Sequence, residues 1–265
     1  MEKVSVTVLI LARNEANNIA ACIKSAPFAA EVLVIDDMST DDTAQIAEGL
    51  GAKVIQRALN GDWGTQQTFG IKQAAHEWVF VLDADERIST ALGDKIVQLV
   101  KQDDRRFAYA CPRLSVLQGR PIRHGGWFPD YVVRLFPKQG SYYTGLVHQA
   151  LHHECKEVFL PHREYLVHYP YRDWEHHLSK INVYTTLAAQ KLREQGKKPH
   201  FIDIITHPLW GFLRMYVIQG GFRDGGMGFV LAMVHYFYTM MKYVKFYYGE
   251  KSVTQAGETD LCKNL

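Results

Sequence analysis

Over its first hundred residues the chain alternates two hydrophobic patterns. Short, nearly continuous apolar runs give way to stretches in which apolar side chains return every three or four positions. The run VSVTVLIL (residues 4–11) is β-branched and apolar, long enough for a buried strand. ARNEANNIAACIKSA follows and predicts a helix capped by Asn14, with Ile19, Cys22, Ile23 and Ala26 on its apolar side. EVLVIDD predicts a second buried strand. MSTDDTAQIAEGLGA predicts a second helix, capped by Ser39 or Thr40, acidic in its first turn and stopped by Gly51. AKVIQ reads as a short third strand, residues 64–76 as a third helix and residues 78–82 as a fourth strand. Such alternation predicts an α/β fold, a mostly parallel central sheet flanked by helices, with ligands outside the carboxyl ends of the strands. Asp36, Asp37, Asp83 and Asp85 all fall at those ends.

The pattern changes near Arg105. FAYACPRLSVLQG and YVVRLFPK read as strands joined by the Gly/Pro-rich loop GRPIRHGGWFPD, and LVHQALHH and EVFLPHREYLVHY as two more. From Trp174 onward the chain reads as helical, with Leu178, Ile181, Val183, Leu187 and Leu192 at roughly helical spacing. A first domain is expected at residues 1–172 and a helical, aromatic-rich C-terminal extension at 173–265. Residues 229–248 match the ~20 residues of a bilayer span. His235, Lys242 and Lys245 interrupt them, however, and a charge near a bilayer centre costs about 2.5–3.5 kcal/mol. The tail is therefore expected to be an amphipathic helix that packs on the domain or lies at a membrane surface.

Composition narrows the classes of function. The chain has 265 residues, 47% hydrophobic and 22% charged, enough for a sizeable core. A net charge of +2 gives no field suited to a nucleic-acid partner. Cys22, Cys111, Cys155 and Cys262 are far apart and form no C-x-x-C pair, so neither a structural zinc site nor a disulfide framework is expected. The start MEKVSVTVLI lacks the basic segment and long apolar core of a signal peptide, which predicts a cytoplasmic protein.

The chemistry is concentrated in WVFVLDADERIS (residues 78–89), where an apolar strand ends in Asp83 and Asp85. Two carboxylates this close repel unless a cation or water intervenes. Magnesium typically takes one or two carboxylates together with substrate phosphates, so a metal diphosphate is a natural guest. Capping of the following helix, by an aspartate or by Ser89, is the plainer reading of the same residues.

Three segments together, LILARNEANNIAACIKSA, VLVIDDMSTDDTAQIAEGLGAKVI and GIKQAAHEWVFVLDADERIS, resemble the family 2 glycosyltransferases of the GT-A fold over residues 4–89. HGGWFPDYVVRLF, VHQAL and the aromatic tail are similar to a narrower group, the bacterial lipopolysaccharide core glycosyltransferases of the heptose β-1,4-glucosyltransferase kind. The resemblance implies a UDP-sugar donor, a lipid-linked or lipopolysaccharide saccharide acceptor, Mg²⁺ or Mn²⁺, and inversion at the anomeric carbon. It implies that Ala12, Asn14 and Glu15 line the nucleotide pocket and that Asp36, alone or with Asp37, contacts the uracil or ribose. Asp85 would hold the metal on the diphosphate, and Asp83 would reach the ribose or donor sugar. Such an acceptor suits a place at the inner face of the inner membrane, with Lys242, Lys245 and Lys251 near anionic headgroups.

An inverting transfer also needs a base for the attacking hydroxyl. Asp130 is the candidate, because it follows a Gly-Gly loop able to approach a ligand closely and precedes Arg134 by four residues. A turn role after Pro129 is the alternative. In VHQAL, Gln149 stands where the narrower group usually has a glutamate; glutamine is no carboxylate base, which leaves His148 as a second candidate base or a metal ligand. Gln67 occupies a place where a basic residue is more usual, and Lys72 is the candidate compensating phosphate contact. Trp127 and Trp63 are candidates for stacking on a sugar face or for packing. Two readings compete with the transferase: a haloacid-dehalogenase-like phosphatase, which shares D-x-D but continues with x-Thr rather than Glu86-Arg87, and a catalytically impaired nucleotide-sugar binder or membrane-attached scaffold.

Overall fold

The computed structural model describes residues 2–145 and 150–249. His148, Gln149, Lys251 and Cys262 lie outside them. The chain divides into two compact units. One comprises residues 1–121 with 127–170, and the other residues 122–126 with the chain from 171 onward.

The first unit is built on a mixed sheet. Strands β1 (Val4–Ala12), β2 (Ala29–Asp36), β3 (Lys53–Gln56) and β4 (Trp78–Asp83) run parallel, in the order β3-β2-β1-β4. The sheet continues through β8 (Asp130–Pro137), which is antiparallel to both its neighbours, then β6 (Phe107–Leu117), β12 (Leu166–His168) and β5 (Glu86–Ile88). Short strands β7 (Arg120–Pro121) and β11 (Lys156–Phe159) also pair with β6, and β9 (Tyr142–Thr144) pairs with β10 (Ala150–His152) in a separate hairpin. Helices α1 (Ile19–Lys24), α2 (Thr43–Gly49), α3 (Trp63–Gln73) and α4 (Thr90–Gln102) complete this unit.

The central strand shows why the apolar runs are continuous rather than alternating. Side chains of a strand point to opposite faces in turn. Val8 and Ile10 enter one core with Phe80, Leu82, Leu92 and Ile96. Leu9 enters the other with Leu33, Ile35, Ile71 and Phe136. A sheet covered on both faces therefore leaves β1 little room for polar residues.

Gly70 shows how tightly the second core is closed. A Cβ at this position in α3 would stand 2.6 and 2.8 Å from the two methyl carbons of Leu9. Helix propensity alone favours alanine over glycine by about 1 kcal/mol, whereas overpacking a filled core costs about 1–3 kcal/mol. Overpacking is the larger effect, so Gly70→Ala is expected to lower the unfolding midpoint in a denaturant titration; a stabilised variant would show that Leu9 yields freely.

Several local expectations need correction. Asn14 caps no helix. It adopts a left-handed backbone (φ 54°), α1 begins only at Ile19, and a turn fills the intervening residues. Its amide side chain serves another loop, as described below. Neither Ser39 nor Thr40 caps α2; Asp42 is the residue before it and makes no capping bond, Asp41 accepts the N–H of Thr43 at 3.1 Å, and the acidic residues precede the first turn. Ser89 does cap α4, accepting from the backbone N–H of Leu92.

The second unit contains α5 (Trp174–Glu194), α6 (Asp203–Leu213), a π-helical turn (Arg214–Ile218), a 3-10 turn (Gly221–Asp224) and α7 (Gly225–Tyr248). Its α5 buries His177, Ile181, Thr185 and Ala189, an i, i+4 stripe. The expected stripe fails because Leu178, Val183 and Leu187 are exposed. The signal was misleading because the buried stripe uses small and polar residues for close approach. Lys245 of α7 donates to the Asn182 carbonyl and to the Thr185 and Thr186 hydroxyls of α5 at 2.8–2.9 Å, which ties it to a helix rather than to a headgroup. The segment 122–126 also belongs here: Asp224 accepts from the backbone N–H groups of Arg123 and His124, and from the His124 ring at 2.7 Å.

Candidate active site

The strand register gathers the acids. Ala12, at the end of β1, lies opposite Asp36, and Leu11 lies opposite Asp83, so the acidic ends of β2 and β4 flank β1 at one rim. Strand β8 runs antiparallel to β4, with Leu135 opposite Phe80, so Asp130 at the start of β8 lies toward the same end of the sheet as Asp83 and the turn that carries Asp85. Across β6, Asp130 lies opposite Arg113. Strand β12 sets His168 opposite both Glu86 and Ser115. Asp83, Asp85, Glu86, Arg113, Asp130, Arg134 and His168 thus come from five strands and one turn.

Charge pairing organises these residues. Arg134, only 7% exposed, donates from Nη2 to Asp83 at 2.5 Å and to Glu86 at 2.7 Å. Glu86 is fully buried and also accepts the backbone N–H of Asp83 at 3.1 Å, which fixes the turn that carries Asp85. Burial raises the Asp83 carboxyl, but the Arg134 guanidinium more than offsets this and holds it below the usual carboxylate value. For Glu86 burial dominates over the pull of Arg134, and its carboxyl lies above the usual value. Two acids that share one cation cannot both be fully compensated, and the less exposed one bears the penalty.

Asp85 stands apart from that cluster. Its carboxylate lies 3.6 Å from Nε2 of His168, and Arg134 does not engage it. A carboxylate and an imidazole so placed suit a divalent ion whose remaining positions are filled by substrate phosphates and water. Among the described residues, no group of three or more His, Cys, Asp or Glu side chains is arranged to hold a metal ion. The pair therefore fits a site completed by substrate rather than an all-protein cage. Asp83, also expected as a metal ligand, is paired with Arg134.

Asp130 accepts both Nε (2.9 Å) and Nη2 (2.5 Å) of Arg113 on the same carboxylate oxygen, which orients it at the rim while it stays half exposed. Trp127 lies half-buried three residues before it. Trp63 is exposed at the start of α3.

At the other end of the rim, the loops after β1 and β2 are stitched together. Asn14 accepts from the backbone N–H of Thr40 at 2.8 Å and donates its own N–H to Ser39. Asp36 is fully buried and accepts from Ser39, while Asp37 accepts the N–H of Leu59 and a bond from Arg13. Glu15 gives its N–H to Thr43 and accepts from Asn18. Asp36 and Asp37 are thus committed to loop architecture first.

Lys72 is not brought to this rim. It lines a cavity of about 630 Å³ with Thr68, Glu77, Lys138 and Tyr142. Glu77 precedes β4 and Lys138 follows β8, so the cavity sits by the opposite end of β4 from Asp83, roughly 20 Å away at about 3.3 Å per strand residue. A lysine in the last turn of a crossover helix faces the amino ends of the parallel strands, which spacing alone did not reveal. Conversely, sequence reasoning missed His168, Glu86 and Arg113. The one available signal was a charged or titratable residue at an end of each of the short runs ERI and LVH, Glu86 opening the first and His168 closing the second.

Comparison with known proteins identifies the family. Residues 7–169 match the model of glycosyl transferase family 2. An uncharacterized glycosyltransferase of Rickettsia felis is 32% identical over 257 residues, covering 92% of this chain and 89% of the relative. The lipopolysaccharide core biosynthesis glycosyltransferase LpsC of Rhizobium meliloti is 29% identical, covering 92% and 93%. Among solved structures, S. aureus TarS 1–349 in complex with UDP aligns over 93% of this chain and 90% of its own, at 15% identity and a TM-score of 0.48. The phosphatase reading falls away, and the mixed sheet with its flanking and C-terminal helices is that of a GT-A transferase: the chain belongs to glycosyl transferase family 2.

Proposed function

We propose that this protein transfers a hexose, glucose in the first instance, from a UDP-sugar to a saccharide of the lipopolysaccharide core, with inversion at the anomeric carbon. One observation carries the reading: Asp85 beside His168, on a turn fixed by the Asp83–Arg134–Glu86 cluster, with Asp130 at the same end of the sheet and linked to Glu86 through Arg113. Asp85 and His168 would hold a Mg²⁺ or Mn²⁺ ion, which when bound supplies Lewis-acid stabilisation of the departing diphosphate. The relative LpsC, named for lipopolysaccharide core biosynthesis, supports the acceptor class.

This chain's residues account for the remaining steps. Asp130 takes the proton of the acceptor hydroxyl, and the hydroxyl oxygen bonds to the anomeric carbon. The bond from that carbon to the diphosphate breaks on the opposite face, and UDP leaves with the electron pair. A single displacement of this kind inverts configuration. Arg134 and Glu86 hold the turn rigid, so that Asp85 keeps its position without reorganisation.

The test is UDP release from UDP-glucose by purified protein with Mn²⁺, with and without a lipopolysaccharide-core acceptor extract. Release that rises with acceptor is expected. In Asp85→Asn, UDP affinity measured calorimetrically should lose its metal dependence, whereas an unchanged metal dependence would place the ion elsewhere. UDP binding without any release, at any acceptor, would favour the scaffold.

A further inference from the structure

Within the second unit, α6 and the π-helical turn after it display an outer stripe that a water-facing helix should not have. Ile205, Leu209, Leu213 and Val217 recur at i, i+4, i+8 and i+12 and are all exposed, as is Trp210 beside them. The inner side is formed by Pro208 and Met215, which are buried, and by Gly211, which approaches the His235 ring of α7. A surface helix normally turns polar residues outward, and exposed apolar stretches of this extent mark interaction sites.

Length and charge identify the occupant. From Asp203 to Ile218 the helical run has sixteen residues, an axial rise of about 24 Å, short of the ~30 Å hydrocarbon layer. No helix among the described residues is long and apolar enough to cross a membrane. Between Asp203 and Glu250 the sequence has a single acidic residue, Asp224. That carboxylate already accepts from His124 and two backbone N–H groups. Lys197 and Lys198 before the run, and Arg214 and Arg223 at its far end, are exposed. An apolar stripe flanked by cations and almost free of acids suits an anionic lipid surface. A second copy of the same face would instead set cations against cations.

We infer that the outer face of α6 and the π-helical turn lies in the interfacial layer of an anionic lipid bilayer, with Trp210 in that layer. This deepens the acceptor reading above, which places the acceptor on lipid, and its test uses neither donor nor acceptor, so each can fail alone. The full chain is sedimented with vesicles of phosphatidylethanolamine and phosphatidylglycerol, or of phosphatidylcholine alone. At least about tenfold stronger partition into the anionic vesicles is expected, weakening as salt is added. Trp210→Glu combined with Leu213→Glu should lose about tenfold or more of that binding while its circular-dichroism melt stays unchanged. Trp210→Phe should keep the binding and lose part of the fluorescence quenching by brominated lipid. Equal binding by the Glu variant, unchanged quenching in Trp210→Phe, or a dimer that the Glu substitutions disperse without any vesicle binding would each overturn the inference.

Discussion

Arg134→Met is expected to destabilise the protein by about 3–5 kcal/mol, the usual consequence of removing one member of a buried ion pair. Arg134 is the cation closest to Glu86, which has no exposure to solvent, and it also holds Asp83. Methionine fills most of the volume, so the loss is electrostatic rather than a cavity. Arg113 is a poor substitute, since it stands 3.5 Å from Glu86 and is itself occupied by Asp130. In a thermal melt the change corresponds to roughly 10 °C for a unit of this size. Adding Glu86→Gln to Arg134→Met should recover a large part of the loss, because it removes the charge left without a partner. A single variant within about 0.5 kcal/mol of the wild type, a margin typical of surface substitutions, would show that this cluster is not what holds the turn.

The second large effect is on turnover. Asp130→Asn should leave UDP affinity intact and lower transfer to acceptor by about 10²–10⁴-fold, the weight of a general base. Asparagine keeps an oxygen for Arg113, so the strand and its neighbour stay in place; only the capacity to take a proton is removed. Read as kcat against KM, the loss belongs in kcat. Turnover near the wild-type value would assign proton removal to another side chain.

Much of the first unit was legible because its sheet is covered on both faces. Nearly continuous apolar runs at residues 4–11, 32–35 and 78–82 leave few other structures open, and the acids that end the second and third of them, Asp36 and Asp83, had to meet at one rim once the strands were parallel. The helix after β1 was misjudged because Asn14, read as a helix cap, spends its side chain on the loop after β2, twenty-six residues away. The stripe on α5 was misjudged for a related reason: apolar spacing reports which side chains are oily, while burial there follows the small residues that let a neighbour approach.

By itself the sequence determined the alternation of strand and helix, the family, and the pair Asp83 and Asp85 at a strand end. Each strand, each helix and the acid pair is encoded within a window of about a dozen residues, where periodicity and turn chemistry act locally, and the family is carried by three such segments together. Tertiary structure alone decided that Arg134 binds Asp83 and Glu86, that His168 rather than a closer neighbour faces Asp85, and that Lys72 sits at the far end of the sheet. Those partners lie up to 83 positions apart in the chain, and only strand order and register, set by the packing of two cores, determine which of them meet.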